Sequence, residues 1–274
     1  MLNFTVDSRT CTRCGACAAD CPPRIISLYS GLPAIAPEKE AACYKCQHCL
    51  AICPTAAISI LGVRPENCTG LAGNLPSPEA LATLIKGRRS VRRYRDENLA
   101  PELLQQLLEV AWHAPTGVNS RQVRFTVVDD RRKMADFRVK LLGELGELVR
   151  QNALPSGFER YADFVRVWEE MGQDILFRGA PHFLVASAPQ TVVTPTQDCL
   201  IALSYFELYA RVNGVGTVWD GLATLAITQL VPAARQWLGI PDDHAVGYCM
   251  AFGPAAVSYQ RTVQHPPALV HRIP

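Results

Sequence analysis

The chain has 274 residues, of which 49% are hydrophobic and 19% charged, with a formal net charge of +2. Such a balance suits a globular chain and lacks the basic excess that bulk attraction to nucleic acid or an anionic membrane surface requires. No apolar run reaches the roughly 18 to 20 residues of a membrane span, so neither nucleic acid nor membrane is an expected partner.

Met1 to Thr10 are polar and have no apolar core, as expected of a chain without a secretory leader. Eight of the eleven cysteines then form two copies of one pattern: Cys11, Cys14, Cys17, Cys21-Pro22 and Cys43, Cys46, Cys49, Cys53-Pro54. Each copy reads C-x2-C-x2-C-x3-C-P. Every cysteine of the second copy lies 32 positions after its counterpart, and Ile26-Ser27-Leu28 matches Ile58-Ser59-Ile60 at the same offset. This is an internal duplication.

A cubane [4Fe-4S] cluster takes one thiolate per iron, and in runs of this spacing the fourth cysteine serves the other cluster. The expected ligand sets are Cys11, Cys14, Cys17 with Cys53, and Cys43, Cys46, Cys49 with Cys21. A zinc site closes with four ligands and has no use for a second run in register. A disulfide framework belongs to an oxidising compartment, whereas eight thiols kept reduced for cluster assembly point to the cytoplasm. Residues 1–62 resemble a bacterial two-cluster ferredoxin.

More than 200 residues follow Ile60, enough for a second domain with its own core. Glycine, proline and small polar residues dominate Gly62 to Pro78, the composition of a linker. The expected organisation is a ferredoxin domain over 1–62, a linker over 63–78, and a second domain over 79–274 ending in an extended C-terminal arm.

Beyond the linker, Leu81, Leu84 and Ile85 give one helical face, and Pro101 opens a stronger helix with Leu103, Leu104, Leu107, Leu108 and Ala111. Phe125 to Val128 reads as a strand, Met134 to Val149 as a helix and His182 to Ser187 as a second strand. Between them, Phe158, Tyr161, Phe164, Val165 and Trp168 form an aromatic stripe at helical spacing, read as core packing or as a surface for a flat substrate. Cys199 to Val212 reads as a buried helix stopped by Asn213-Gly214, and strands at Val215–Trp219 and Val246–Phe252 flank a helix over Leu222–Leu230. Because strands and helices do not alternate regularly, the expected class is α+β. Cys199 and Cys249 lie in apolar surroundings and read as small core residues. His48 reads as solvent-facing or as an outer hydrogen-bonding group beside a cluster, and His113 and His244 have no metal-ligand spacing. Gly214-Val215-Gly216 precedes a strand instead of joining a strand to a helix, so it is not read as a dinucleotide loop.

Arg88-Arg89-Ser90-Val91-Arg92-Arg93-Tyr94-Arg95 places five arginines in eight residues. This is either a solvated basic face or a site where guanidinium forks converge on one phosphate. Three segments decide between these by resemblance. The arginine run resembles the R-x-S-x-R signature that opens nitroreductase-family flavoenzymes, Ala114-Pro115-Thr116-Gly117-Val118-Asn119-Ser120 is similar to the family's A-P-[ST]-x-x-N-S loop, and Gly214 to Gly221 resembles its G-[LIV]-G-x-x-W-x-G segment.

The resemblance implies a nitroreductase-like α+β sandwich that binds FMN. It implies Arg88, Ser90 and Arg92, with Arg89 alongside, at the FMN phosphate, ribityl chain and pyrimidine edge, and Asn119 at the isoalloxazine ring. It also implies that Asp220 and Gly221 present backbone N–H groups toward the flavin N5, the catalytic position, and that Trp219 packs in the core. Two departures from the family are plain: Arg121-Gln122 stands where the family has Gln-Pro, and Gln264-His265 stands where it has a basic pair. Arg121 or Gln122 is then the substitute contact, and Arg261, with His265 as a second candidate, the phosphate ligand.

The resemblance further implies a homodimer, with the Ala255–Pro274 arm reaching the partner. Joined to the clusters, it implies an oxidoreductase passing electrons through two [4Fe-4S] clusters to FMN and on to a nitroaromatic, quinone or activated alkene. The external donor is a ferredoxin-type protein or NAD(P)H. Two alternatives stay open at the sequence level: direct NAD(P)H reduction with the clusters accepting electrons or docking a partner, and a non-catalytic redox sensor or electron carrier.

Overall fold

The computed structural model describes residues 1–28 and 31–273, and Pro274, the end of the expected arm, lies outside the described residues. The chain divides into two compact units: Met1–Pro76 with Val118–Ser120, and Ser77–Gly117 with Arg121–Pro274.

In the first unit the duplication persists in three dimensions. Helical turns Ala16–Ala19 and His48–Ala51 occupy equivalent places, as do the short strands Ile26–Ser27 and Ile58–Ser59. Ile26–Ser27 pairs with Ala34–Ile35, and Ile58–Ser59 with Thr5–Val6, both antiparallel. The repeat extends to the backbone: Arg13 and Lys45, Gly15 and Gln47, and Arg24 and Ala56 are all left-handed, with φ between 52° and 77°. Cysteines two residues apart can ring one cavity only if the chain between them turns sharply, and these conformations, unfavourable for L-residues, make the turns. The small core consists of Leu2, Ile25, Ile26, Leu50, Ile58 and Ile60 with Cys17, Cys21 and Cys49.

The second unit contains helices α1 (Pro78–Gly87), α2 (Pro101–Trp112), α3 (Arg131–Arg150), α4 (Arg160–Met171) and α5 (Pro195–Val212). Its strands are β1 (Arg124–Val128), β2 (His182–Pro189), β3 (Val215–Trp219) and β4 (His244–Pro254), in the antiparallel order β1-β2-β4-β3. Both faces of the sheet are covered. Phe183 and Val185 join the core beneath α3 and α4, while Leu184 and Ala186, pointing the opposite way, join the core beneath α2 and α5. Burial on both sides explains why β2 reads as an unbroken apolar run. This is the expected α+β architecture.

Apart from Phe158, which precedes it, the aromatic stripe lies on α4, and its Tyr161, Phe164 and Val165 are buried in the α3–α4 core. Cys199 and Cys249 are fully buried. The helix expected over Leu222–Leu230 is interrupted: α6 (Gly221–Leu225) gives way to a π-turn over Ala226–Leu230, closed by Val231 N donating to Ala226 O. Thr224 and Thr228 hydroxyls bond back to the carbonyls of Asp220 and Thr224, which loosens the regular helical ladder there.

Candidate active site and cluster sites

In the first unit, one cavity is lined by Cys11, Cys14, Cys17 and Cys53, and a second by Cys21, Cys43, Cys46 and Cys49. Each cavity therefore takes three cysteines from one run and the fourth from the other. Backbone amides already point at two sulfurs, Lys45 N at 3.3 Å from Cys43 Sγ and Ala57 N at 3.2 Å from Cys53 Sγ. Burial, reinforced by neighbouring cysteines, pushes the Cys17 thiol up and that of Cys49 up to about 11. Burial opposes ionisation of Cys53 too, but the amides of Ala57 and Thr55 win and hold it below the ordinary thiol value. Thiols gathered around one cavity need positive charge at its centre before they can all ionise, and iron supplies it. Among the described residues no three His, Cys, Asp or Glu side chains converge as a single-ion site requires. Four thiols ringing a cavity suit a cluster. His48 is exposed.

In the second unit the arginine run is stitched to the sheet. Val91 N donates to Thr217 O at 2.8 Å, and Tyr94 Oη donates to Val91 O at 2.7 Å. Gly216 is required by this approach: a Cβ there would lie 2.6 Å from Val91 Cγ1. The two motifs, far apart in sequence, thus meet at β3.

Arg88 Nη1 lies 3.1 Å from Glu207 Oε1 on α5, and the Glu207 side chain is only 7% exposed. Glu207 also accepts from Thr217 Oγ1 at 3.3 Å and Trp219 Nε1 at 3.0 Å. Trp219, read as a packing residue, is thus also a hydrogen-bond donor, and its ring stacks edge-on against Tyr248. Arg89 Nη2 donates to Lys86 O, while its Nε is buried without a partner among the described residues. Arg92 is exposed and its Nη1 is 3.4 Å from Ser90 O. A buried guanidinium N–H left open beside two further arginines and a serine fits an anionic ligand such as a phosphate.

The expected roles of Asp220 need correction. Its backbone N–H is not open to a ligand, because it donates to Cys249 O at 2.9 Å within the sheet. Its carboxylate instead caps α6, Oδ1 accepting from Ala223 N at 2.8 Å, while Oδ2 is buried without a partner among the described residues. Burial raises the Asp220 carboxyl to about 7. Gly221 occupies the first helical position, where a backbone N–H has no intrahelical acceptor. A Cβ at Gly221 would meet Tyr248 Oη at 2.7 Å, so the position is tightly closed.

The Ala114–Ser120 loop is unusually strained: Val118, Asn119 and Arg121 all have φ between 47° and 55°. A β-branched residue in this region is a rare conformer, and such strain gathers at functional sites. Buried Asp198 holds the loop by accepting from Gly117 N at 3.0 Å and Thr194 Oγ1 at 2.8 Å. Arg121 turns back on its own loop, its Nη1 3.3 Å from Ala114 O and its guanidinium 4.9 Å from the Trp112 ring centre. The structure therefore uses Arg121 to brace the loop, a different duty from the expected cofactor contact. Arg261 is exposed and lines a groove with Thr83, Leu84, Gly87, Arg211 and Tyr259, while His265 is exposed in the arm. Sequence reading missed Glu207 and Asp198, whose one visible signal is an acidic residue inside an apolar helix.

Comparison with known proteins bears on the family and the fold. Residues 85–254 match the nitroreductase family, and residues 10–58 match a 4Fe-4S dicluster domain. A 4-nitrobenzoate reductase of Nocardioides sp. (strain LMS-CY) is 33% identical over 197 residues, covering 63% of this chain and 79% of that protein. A nitroreductase with bound FMN from Desulfitobacterium hafniense DCB-2 is 27% identical, covering 72% of this chain and all of its own, with a TM-score of 0.54. One from Bacteroides fragilis NCTC 9343, also with bound FMN, shares the fold at a TM-score of 0.57 and 24% identity, covering 72% of this chain and 100% of its own. The chain belongs to the nitroreductase family and carries a 4Fe-4S dicluster domain ahead of its nitroreductase region.

Proposed function

We propose that this chain is an FMN-dependent oxidoreductase in which electrons enter through two [4Fe-4S] clusters and leave to a small organic acceptor. The observation that carries the reading is the presence, in one chain, of two four-cysteine cavities and a nitroreductase region with an arginine-lined site. When bound, the clusters supply single electrons and FMN supplies hydride chemistry. The organisation follows as a ferredoxin domain over 1–62, a linker over 63–78 and the flavin domain over 79–274.

The chain's own residues bind and orient. Cys11, Cys14, Cys17 and Cys53 hold one cluster, and Cys43, Cys46, Cys49 and Cys21 the other. Arg88, Arg89, Ser90, Arg92 and Arg261 hold the FMN phosphate and ribityl chain, Asn119, whose Nδ2 donates to Tyr44 O at 2.7 Å, bonds the ring through its Oδ1, and Gly221 offers its N–H to it. Glu207 fixes one edge of the Arg88 guanidinium, leaving the rest of the fork for the ligand.

The acceptor belongs to the nitroaromatics, quinones or activated alkenes, and the relative named for 4-nitrobenzoate supports the first class. A homodimer is supported by the arm, which leaves Leu269, Val270 and Ile273 exposed. No helix among the described residues is long and apolar enough to cross a membrane, and the thiol-rich first unit supports the cytoplasm. The test is an anaerobic donor comparison with a nitroaromatic acceptor. Reduced ferredoxin should sustain turnover; turnover with NADPH and none with ferredoxin overturns the direction of electron flow.

A further inference from the structure

Not every arginine proposed for the FMN phosphate is free to spend its whole charge on it. A phosphate monoester carries roughly −1.5 to −2 charge at neutral pH. Arg88 stands 3.1 Å from the carboxylate of Glu207, which is nearly buried, so much of its charge is balanced within the protein. A further unpaired cation close to that pair would replace the charge that Glu207 takes up.

Arg211 is placed to supply it. It lies four residues beyond Glu207 on α5, one helical turn along the same face, about 6 Å from the Arg88–Glu207 pair along the axis. Arg211 and Arg261 line one groove of about 380 Å³ with Thr83, Gly87 and Tyr259, and Gly87 directly precedes Arg88. Among the described residues, neither the Arg211 nor the Arg261 guanidinium has a hydrogen bond or ion pair to the protein. Two like charges sharing a groove repel unless an anion lies between them. The C-terminal carbonyls of α5 offer Arg211 only a partial negative charge.

We propose that Arg211, acting with Arg261, is a phosphate ligand of FMN lying outside the three family motifs. The inference rests on the FMN reading above. It separates the phosphate from the rest of the flavin, because riboflavin has the same ring and ribityl chain without the phosphate.

The experiment measures FMN and riboflavin dissociation constants of the flavin-stripped full chain, with its clusters intact, by fluorescence quenching and calorimetry. Arg211→Ala should raise the FMN constant at least 10-fold and leave riboflavin within 2-fold. Arg211→Lys, which keeps the charge, should recover part of the loss. Arg211→Gln provides a second charge-removing variant should the alanine form fold poorly. Unchanged FMN affinity, or an equal loss for both flavins, overturns the proposal. The two readings fail separately: if Arg88→Ala keeps wild-type FMN affinity, the arginine-run assignment falls, whereas FMN lost in Arg88→Ala but retained in Arg211→Ala removes only Arg211.

Discussion

The two units are built on different terms. In the first, three of the nine residues forming the buried core are Cys17, Cys21 and Cys49, all cluster ligands in the proposed assignment. In the second, two cores of Leu, Phe, Met and Ala side chains sandwich a four-stranded sheet, and none of the proposed FMN ligands belongs to either core. Small domains with little apolar surface lean on metals for stability, whereas a two-layered core stands without its cofactor. Cluster binding and folding should therefore be one event in the first unit, and flavin binding and folding separate events in the second.

Removing iron attacks this contrast with the largest expected effect. Anaerobic chelation should abolish hydrogen-exchange protection across Thr5–Ser59 while β2 and β4 keep theirs; persistent protection of Ile26 and Ile58 in the iron-free chain contradicts it. Exchanging Arg88 and Arg92 together for alanine attacks the other half. Each removes a charge-assisted contact worth about 1.5 to 3 kcal/mol, so the FMN dissociation constant should rise at least about 100-fold while the cluster absorbance stays unchanged. Stoichiometric flavin in the double variant refutes the phosphate assignment.

Asp220 gives a pH-dependent test of the second unit. Its folded-state value of about 7 lies above the ordinary 3.8, so its contribution to stability is fully present below about pH 4 and is lost as pH rises through 7. Asp220→Asn should be stabilised relative to the native chain by about 2 to 4 kcal/mol at pH 8, with the gap shrinking toward pH 4. Urea melts at a series of pH values read this directly, and a gap that does not vary with pH contradicts it. The smallest effect is steric. Gly216→Ala should cost about 1 to 3 kcal/mol through collision with Val91, whose Cβ and both methyl groups all lie within 2.9 Å of the added carbon, and Val91→Gly in the same chain should make the two losses less than additive in thermal melts. Additive losses in the pair contradict the contact.

The legibility of the two halves also differed. Cysteine spacing is dictated by cluster geometry, so the sequence carries the crossed arrangement directly, and even the left-handed turns repeat with it. Strands β2 and β3 were readable because burial on both faces or between glycine punctuation leaves an apolar run. Glu207 and Asp198 were not readable, since their partners Arg88 and Gly117 come from distant parts of the chain. The duty of Asp220 was misread for a similar reason: the acceptor of its N–H, Cys249 O, belongs to a strand nearly thirty residues away. The π-turn after Leu225 is accompanied by threonine back-bonding that a hydrophobic pattern does not register.

In the proposed function, electrons reach the flavin site from the clusters. Cys14→Ala removes one expected ligand of the first cluster and leaves the arginine site intact. With FMN content and nitroaromatic turnover measured anaerobically on the same sample fed by reduced ferredoxin, the variant should keep its FMN and lose turnover. Undiminished ferredoxin-fed turnover with the cluster gone contradicts the account.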